Sequence, residues 1–222
     1  MIFRINNILK TESQLSDHIL IDKGFVTYAT SNSFRVDSEL ECPFRFVADG
    51  WPVAVYSSIL AGEKVNRLSF FKLRDFWLEI AKTTRIGIVG YEEKFAIELS
   101  NALPLINITP VLVNHGFLSD TEIIQLVQGS IGTVDVFFLG IGQPRQEYIL
   151  KKLEHLEGSI SIVCCGAFWI QEICEVKGVG KISTMLGLVS IYRFWHSPRT
   201  LFERTLLSLC YLLKNLKSND DQ

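Results

Sequence analysis

Four short apolar runs, each leading into a polar or glycine-rich break, constrain this chain more than any other feature of its sequence. They are residues 85–90, 108–113, 134–140 and 159–165. Apart from polar residues near their starts, such as Arg85, Asp135, Ser159 and Ser161, they are apolar at successive positions rather than at alternate ones, as expected of strands covered on both faces. Helical patterns separate them. The spacing predicts a helix from Glu92 to Leu103, stopped by Pro104, and another from an N-cap at Ser119 to about Gln128, with Asp120 and Glu122 in its first turn. A third begins after Gly142 and Pro144, the latter suited to a first helical position, and runs to about His155. Strands alternating with helices predict an α/β fold, a Rossmann-like parallel sheet with helices on both faces. Residues 1–84 are less regular, with two further strands expected at Phe25 to Thr30 and Phe44 to Ala48.

Beyond Gly180 only helical patterns remain. Lys177 to Lys217 holds seven Lys/Arg against the single acid Glu203, while the whole 222-residue chain has a net charge of −2. Leu188, Tyr192, Phe194, Trp195, Phe202 and Tyr211 add apolar and aromatic surface. Such a segment fits an interfacial helix on an anionic membrane surface, or a helical pair packed on the sheet with its lysines in water. The expected organisation is therefore an α/β catalytic domain over residues 1–180 and a cationic amphipathic helical appendage over 181–222.

Composition removes other classes. With 48% hydrophobic and 21% charged residues the chain is neither disordered nor a coiled coil. Its near-neutral charge gives no footprint for nucleic acid. Five cysteines without a C-x-x-C pair fit reduced thiols better than a disulfide framework or zinc ribbon. Without D-x-D, H-x-x-x-H or clustered Cys/His, no metal and no resident cofactor is expected. The first residues lack a basic region followed by a long apolar stretch, so no signal peptide is expected, and no apolar run reaches the ~20 residues of a bilayer span.

In an open parallel sheet, ligands gather at the carboxyl ends of the strands. Gly140 to Glu147 falls at such an end: Gly140 and Gly142 allow close backbone approach, and helical N–H groups favour an anion such as a diphosphate. The dinucleotide fingerprint G-x-G-x-x-G fails, because Arg145 stands in the third glycine's place. That counts against a Rossmann-type oxidoreductase. Gln146 and Glu147 could equally be ordinary first-turn residues. Asp49 is either a general base at a strand end or a turn residue favoured by Asp-Gly. His115 could shuttle protons, bind phosphate or merely fill a loop. Cys164 and Cys165 lie inside an apolar strand, where thiols are usually inert.

Together these segments resemble the WecG/TagA/CpsF family of bacterial glycosyltransferases from about Gly24 to Arg204. The strand 134–140 followed by Gly140-Ile-Gly-Gln-Pro-Arg-Gln-Glu147 matches the family's strand and G-x-G-x-P-[KR]-Q-E run. Supporting matches are Thr30-Ser-Asn32, Ala48-Asp-Gly50, Arg67, His115-Gly-Phe117, Gly166-Ala-Phe168, and in the tail Gly187-Leu188, Tyr192-Arg193, Pro198-Arg199 and Arg204. The resemblance implies metal-independent, inverting transfer of a hexose or N-acetylhexosamine from a UDP-sugar to a polyprenyl-diphosphate-linked saccharide. Capsule, exopolysaccharide, teichoic acid or common-antigen synthesis would use such a step.

It further implies catalytic roles for Asp49 as base, with Thr30 and Asn32. Substrate binding would fall to Gly140, Gly142, Arg145, Gln146, Glu147, Arg67, His115 and Gly166, and to Arg193, Arg199 and Arg204 from the tail. The implied location is the inner face of the cytoplasmic membrane, peripherally bound from the cytoplasm; homo-oligomerisation is left open. The sequence departs from the family pattern at Tyr91, where a glycine is usual, at Leu68 to Lys72, at Trp169 and at Val189-Ser190. These departures raise an alternative: a catalytically weakened member that serves as partner in a membrane polysaccharide-synthesis complex.

Overall fold

The computed structural model describes residues 7–29 and 44–173. Thr30, Asn32, Arg193, Arg199, Arg204 and the whole segment 181–222 lie outside the described residues. Seven strands are described: β1 (Ile8–Leu9), β2 (Phe25–Ala29), β3 (Arg45–Ala48), β4 (Ile86–Gly90), β5 (Leu112–Asn114), β6 (Val136–Gly140) and β7 (Ser161–Cys164). They form one sheet in the order β1-β3-β2-β7-β6-β4-β5, and every pairing is parallel. The helices are α1 (Glu12–Leu20), α2 (Trp51–Ala61), α3 (Arg74–Thr83), α4 (Glu93–Ala102), α5 (Asp120–Gly129), α6 (Arg145–Lys152) and α7 (Phe168–Ile173).

The two faces of the sheet explain the unbroken apolar runs. Along β6, Phe137 and Leu139 enter one buried cluster with residues of α2, α5 and α6, while Val136 and Phe138 enter the other with residues of α1, α3, α4 and α7. A strand with a helix layer on each side has no face for water, so successive side chains are all apolar. The second layer is rich in aromatic rings: Phe70 stacks on Trp77 with centroids 4.4 Å apart, and Phe138 meets Trp169 edge-on at 5.1 Å. The expected α/β fold with helices on both faces is the one found. Among the described residues no helix is long and apolar enough to cross a membrane.

Local chemistry sets the element ends. Ser119 caps α5 as expected, its hydroxyl accepting from the Glu122 N–H while the Glu122 carboxylate accepts from the Ser119 N–H at 2.7 Å. Three expected boundaries shift. The strand read over 108–113 is Leu112–Asn114, because the Ile108 N–H closes the turn after α4 on the Leu103 carbonyl and Pro110 has no N–H to give a ladder. Pro144 is the N-cap residue of α6 rather than its first helical one, and follows a cis peptide bond. The helix ends at Lys152, and a short 3₁₀ turn covers Glu154–Leu156. The strand β1 and the helix α1 were not anticipated.

The crossovers position a site. After β4 the chain passes through α4 on one face to β5; after β6 it passes through α6 on the other face to β7. The two adjacent strands thus send their connections in opposite directions, which opens a crevice at their carboxyl ends.

Candidate active site

The crevice is floored by glycine. A Cβ on Gly90 would lie 2.7 Å from the Gly140 carbonyl oxygen, and one on Gly140 would lie 2.7 Å from the Gly166 carbonyl oxygen and 2.9 Å from the Tyr91 ring and hydroxyl. Only glycine lets β4, β6 and the turn after β7 approach so closely. Gly142 takes φ 84 and Gly166 φ 53 in the adjoining turns.

Tyr91 fills part of this crevice. It holds φ 71, a region costly for any residue with a Cβ, and its phenol accepts from the Trp169 backbone N–H at 3.4 Å and lies 3.5 Å from the Cys165 Sγ. The sequence marks Tyr91 only as a departure from a glycine; its ring over Gly140 follows from the backbone conformation, which no residue pattern reveals.

Arg145, expected to bind substrate, directs three of its five N–H donors to the protein. Its guanidinium donates from Nε to Asp120 Oδ1 at 2.8 Å, from one terminal nitrogen to the Gly116 carbonyl at 2.9 Å, and from the other to the Leu118 carbonyl. The Gln146 N–H is likewise used, donating to the Gly142 carbonyl at 3.1 Å. His115 sits on the loop that Arg145 holds. Its Nδ1 accepts from the Phe117 N–H at 3.2 Å, which leaves the ring proton on Nε2 when the imidazole is neutral.

One layer below, Glu147 is fully buried between α6 and β2. Its Oε1 accepts from the Thr27 hydroxyl at 2.7 Å, from Gln143 Nε2 at 2.9 Å and from Gln146 Nε2 at 3.0 Å. Gln143 Nε2 also reaches the Tyr28 carbonyl at 2.9 Å. Glu147 Oε2 and Gln146 Oε1 are buried with no partner among the described residues. A polar group so placed is retained only where its neighbours hydrogen-bond to it. Thr27 and Gln143 escaped the sequence reading; the one available signal was a lone threonine in the apolar run of β2.

Asp49 stands at the end of β3. Its backbone is fixed on both sides: its N–H donates to the Ala29 carbonyl at 3.1 Å, and its carbonyl accepts from Arg67 Nε at 2.8 Å. Arg67 therefore meets Asp49 through the main chain. Burial pushes the Tyr28 phenol well above its ordinary pKa, with the Asp49 charge second. Burial also raises both thiols, Cys164 with help from the Glu147 charge and Cys165 to about 12. Neither is a nucleophile near neutral pH.

The site residues thus fall in three groups along one edge of the sheet. Gly140, Gly142, Gly166, His115 and Arg145 surround the β4–β6 crevice, Gln146 and Glu147 lie beneath the loop toward β2, and Asp49 and Arg67 lie at β3. From β6 to β3 there are three strand spacings, roughly 14 Å.

Two comparisons bear on this arrangement. The model of the glycosyl transferase WecG/TagA/CpsF family matches residues 40–220. No individual curated protein matches the chain.

Proposed function

The chain belongs to the WecG/TagA/CpsF family of glycosyltransferases, and from that premise we propose that it is an inverting, metal-independent enzyme that moves a hexose or N-acetylhexosamine from a UDP-sugar to a polyprenyl-diphosphate-linked saccharide. One observation carries the reading: Asp49 at β3 and the glycine-floored crevice at β4–β6 lie on the same carboxyl edge of the sheet. That separation suits a donor whose nucleotide end occupies the crevice and whose sugar points toward β3.

In this reading the Asp49 carboxylate takes the proton of the acceptor hydroxyl. The freed oxygen attacks the anomeric carbon from the side opposite the leaving group, the bond from that carbon to the diphosphate oxygen breaks, and UDP departs with the electron pair. Arg67 holds Asp49 in place through its main chain. Gln146, fixed by Glu147, orients the donor, while Thr30 and Asn32 place the sugar. Backbone N–H groups beside Gly140 and Gly142 meet the diphosphate charge, joined by Arg193, Arg199 and Arg204 from the tail. The cationic tail docks on the inner face of the cytoplasmic membrane, where a lipid-linked acceptor is presented.

The test is incubation with a panel of UDP-sugars and a synthetic polyprenyl-diphosphate saccharide, with and without EDTA, followed by NMR of the product. The expected outcome is one preferred donor, EDTA-resistant transfer and inversion at the anomeric carbon. Retention of configuration, or loss of transfer in EDTA, overturns the mechanism. A second reading, the weakened member acting as a complex partner, is favoured by the Tyr91 ring inside the crevice. UDP binding without transfer to any acceptor selects it.

A further inference from the structure

Side chains hold the end of β2 where its pairing with β7 stops. That pairing covers Phe25↔Ile162 and Val26↔Val163, whereas β3 follows β2 as far as Ala29↔Ala48. Carbonyls alternate in direction along a strand: Gly24 gives its own to Ile162 of β7 and Ala29 gives its own to Asp49, so Tyr28 faces the β7 side. There the Tyr28 carbonyl accepts from Gln143 Nε2 at 2.9 Å, and the same nitrogen donates to Glu147 Oε1 at 2.9 Å. Thr27 donates its hydroxyl proton to Glu147 Oε1 at 2.7 Å and accepts from Gln146 Nε2 at 3.3 Å. In the sheet β7 lies between β2 and β6. The turn after β6 therefore reaches across the end of β7 and is clasped to β2.

The two things so joined give the clasp its use. One is the run from Gly140 to Gln146 beside the crevice; the other is β2, whose partner β3 ends next to Asp49. Neither Thr27 nor Gln143 is among the motif positions of the family: Gln143 stands at an open place in the G-x-G-x-P run, and Thr27 precedes Thr30-Ser-Asn32. A satisfied polar cluster inside an apolar layer fixes one arrangement of the elements that carry it. We propose that Thr27 and Gln143 are positioning residues for sugar transfer, which set the donor loop against the acceptor base through Glu147 and the Tyr28 carbonyl. This rests on the reading above that the donor occupies the crevice and that Asp49 is the base. Transfer is sensitive to such a tie, because a misplacement of about 1 Å costs about 100-fold in rate.

The experiment is steady-state transfer by the full chain with the preferred UDP-sugar and the lipid-linked acceptor, beside isothermal titration of UDP. Rates are normalised to folded protein by circular dichroism. Thr27→Val deletes the hydroxyl and Gln143→Leu the carboxamide. Each is expected to lower kcat about tenfold, with donor KM and UDP affinity within about twofold of wild type. Thr27→Ser restores the hydroxyl and is expected to bring kcat back to within about twofold. Because both side chains act on one carboxylate, the double variant loses less than the product of the two single losses, by about threefold or more. Gln143 is only half-buried, so Gln143→Leu carries the test even where Thr27→Val fails to fold.

Wild-type kcat in the folded single variants overturns the positioning role and leaves the donor reading standing. So does a raised donor KM at unchanged kcat, or a Thr27→Ser enzyme as slow as Thr27→Val. Losses that multiply in full overturn the shared clasp. Absence of transfer by wild type overturns the transferase reading and this inference together.

Discussion

The Tyr91 hydroxyl lies 2.9 Å from the point a Cβ on Gly140 would occupy, so the crevice between β4 and β6 is set by a ring packed against a bare backbone. Gly140→Ala must therefore displace both that ring and the Gly166 carbonyl, which is nearer still at 2.7 Å. We expect it to destabilise the protein by about 2 kcal/mol. Tyr91→Gly relieves the φ 71 strain and clears the crevice. UDP is expected to bind it about threefold to tenfold more tightly. Because the Gly166 contact persists, the double variant recovers only part of the Gly140→Ala loss. A thermodynamic cycle from denaturant melts measures the coupling.

Glu147 collects three donors on one oxygen, and its removal takes that shared acceptor from all of them. Glu147→Ala is expected to cost about 3 kcal/mol of stability, since Thr27, Gln143 and Gln146 lose their shared acceptor inside the fold. Thr27→Val removes one of the three and is expected to cost about 1 kcal/mol. Urea midpoints at constant m-value check both.

The Arg85–Asp135 pair lies at the opposite edge of the sheet from the site and gives a clean acid signature. Asp135 falls from 3.8 to about 2, because the Arg85 side chain hydrogen-bonds its carboxylate. A depressed carboxylate pKa stabilises the fold above its unfolded value, and that contribution disappears as pH falls through the folded value. The gap in melting temperature between wild type and Asp135→Asn is expected to be constant above pH 4 and to close between pH 4 and 2. A gap as wide at pH 2 as at pH 7 contradicts the assignment.

Cys164 and Cys165 are buried, and their thiols are raised by that burial. Iodoacetamide at pH 8 is expected to leave both unmodified in the native protein and to alkylate both in guanidinium, as peptide mapping reads directly. Native labelling of Cys165 contradicts its pKa of about 12.

The sheet was legible because double burial writes itself into consecutive residues: Phe137 and Phe138 are both apolar since each faces a helix layer. Short or edge elements left no such trace. The two-residue β1 has no room for a period, and Pro110 broke the run that Ile108 began. At the site, Gly140, Glu147 and Asp49 were named through the family resemblance, since spacing alone left Glu147 an ordinary first-turn residue and Asp49 a turn residue. The resemblance had no means of assigning Arg145 to the Gly116–Asp120 loop, because a guanidinium serves a phosphate or a carbonyl equally well and only its direction decides. Thr27 was hidden for the opposite reason: β-branched threonine suits a strand whether or not its hydroxyl has a partner.

The most direct test of the central claim is UDP release by wild type and Asp49→Asn, measured with the preferred donor and the lipid-linked acceptor beside the UDP dissociation constant of each. Loss of the base predicts release lowered by about 100-fold or more, with UDP affinity unchanged within twofold. Release by Asp49→Asn at the wild-type rate would contradict Asp49 as the base and the mechanism built on it.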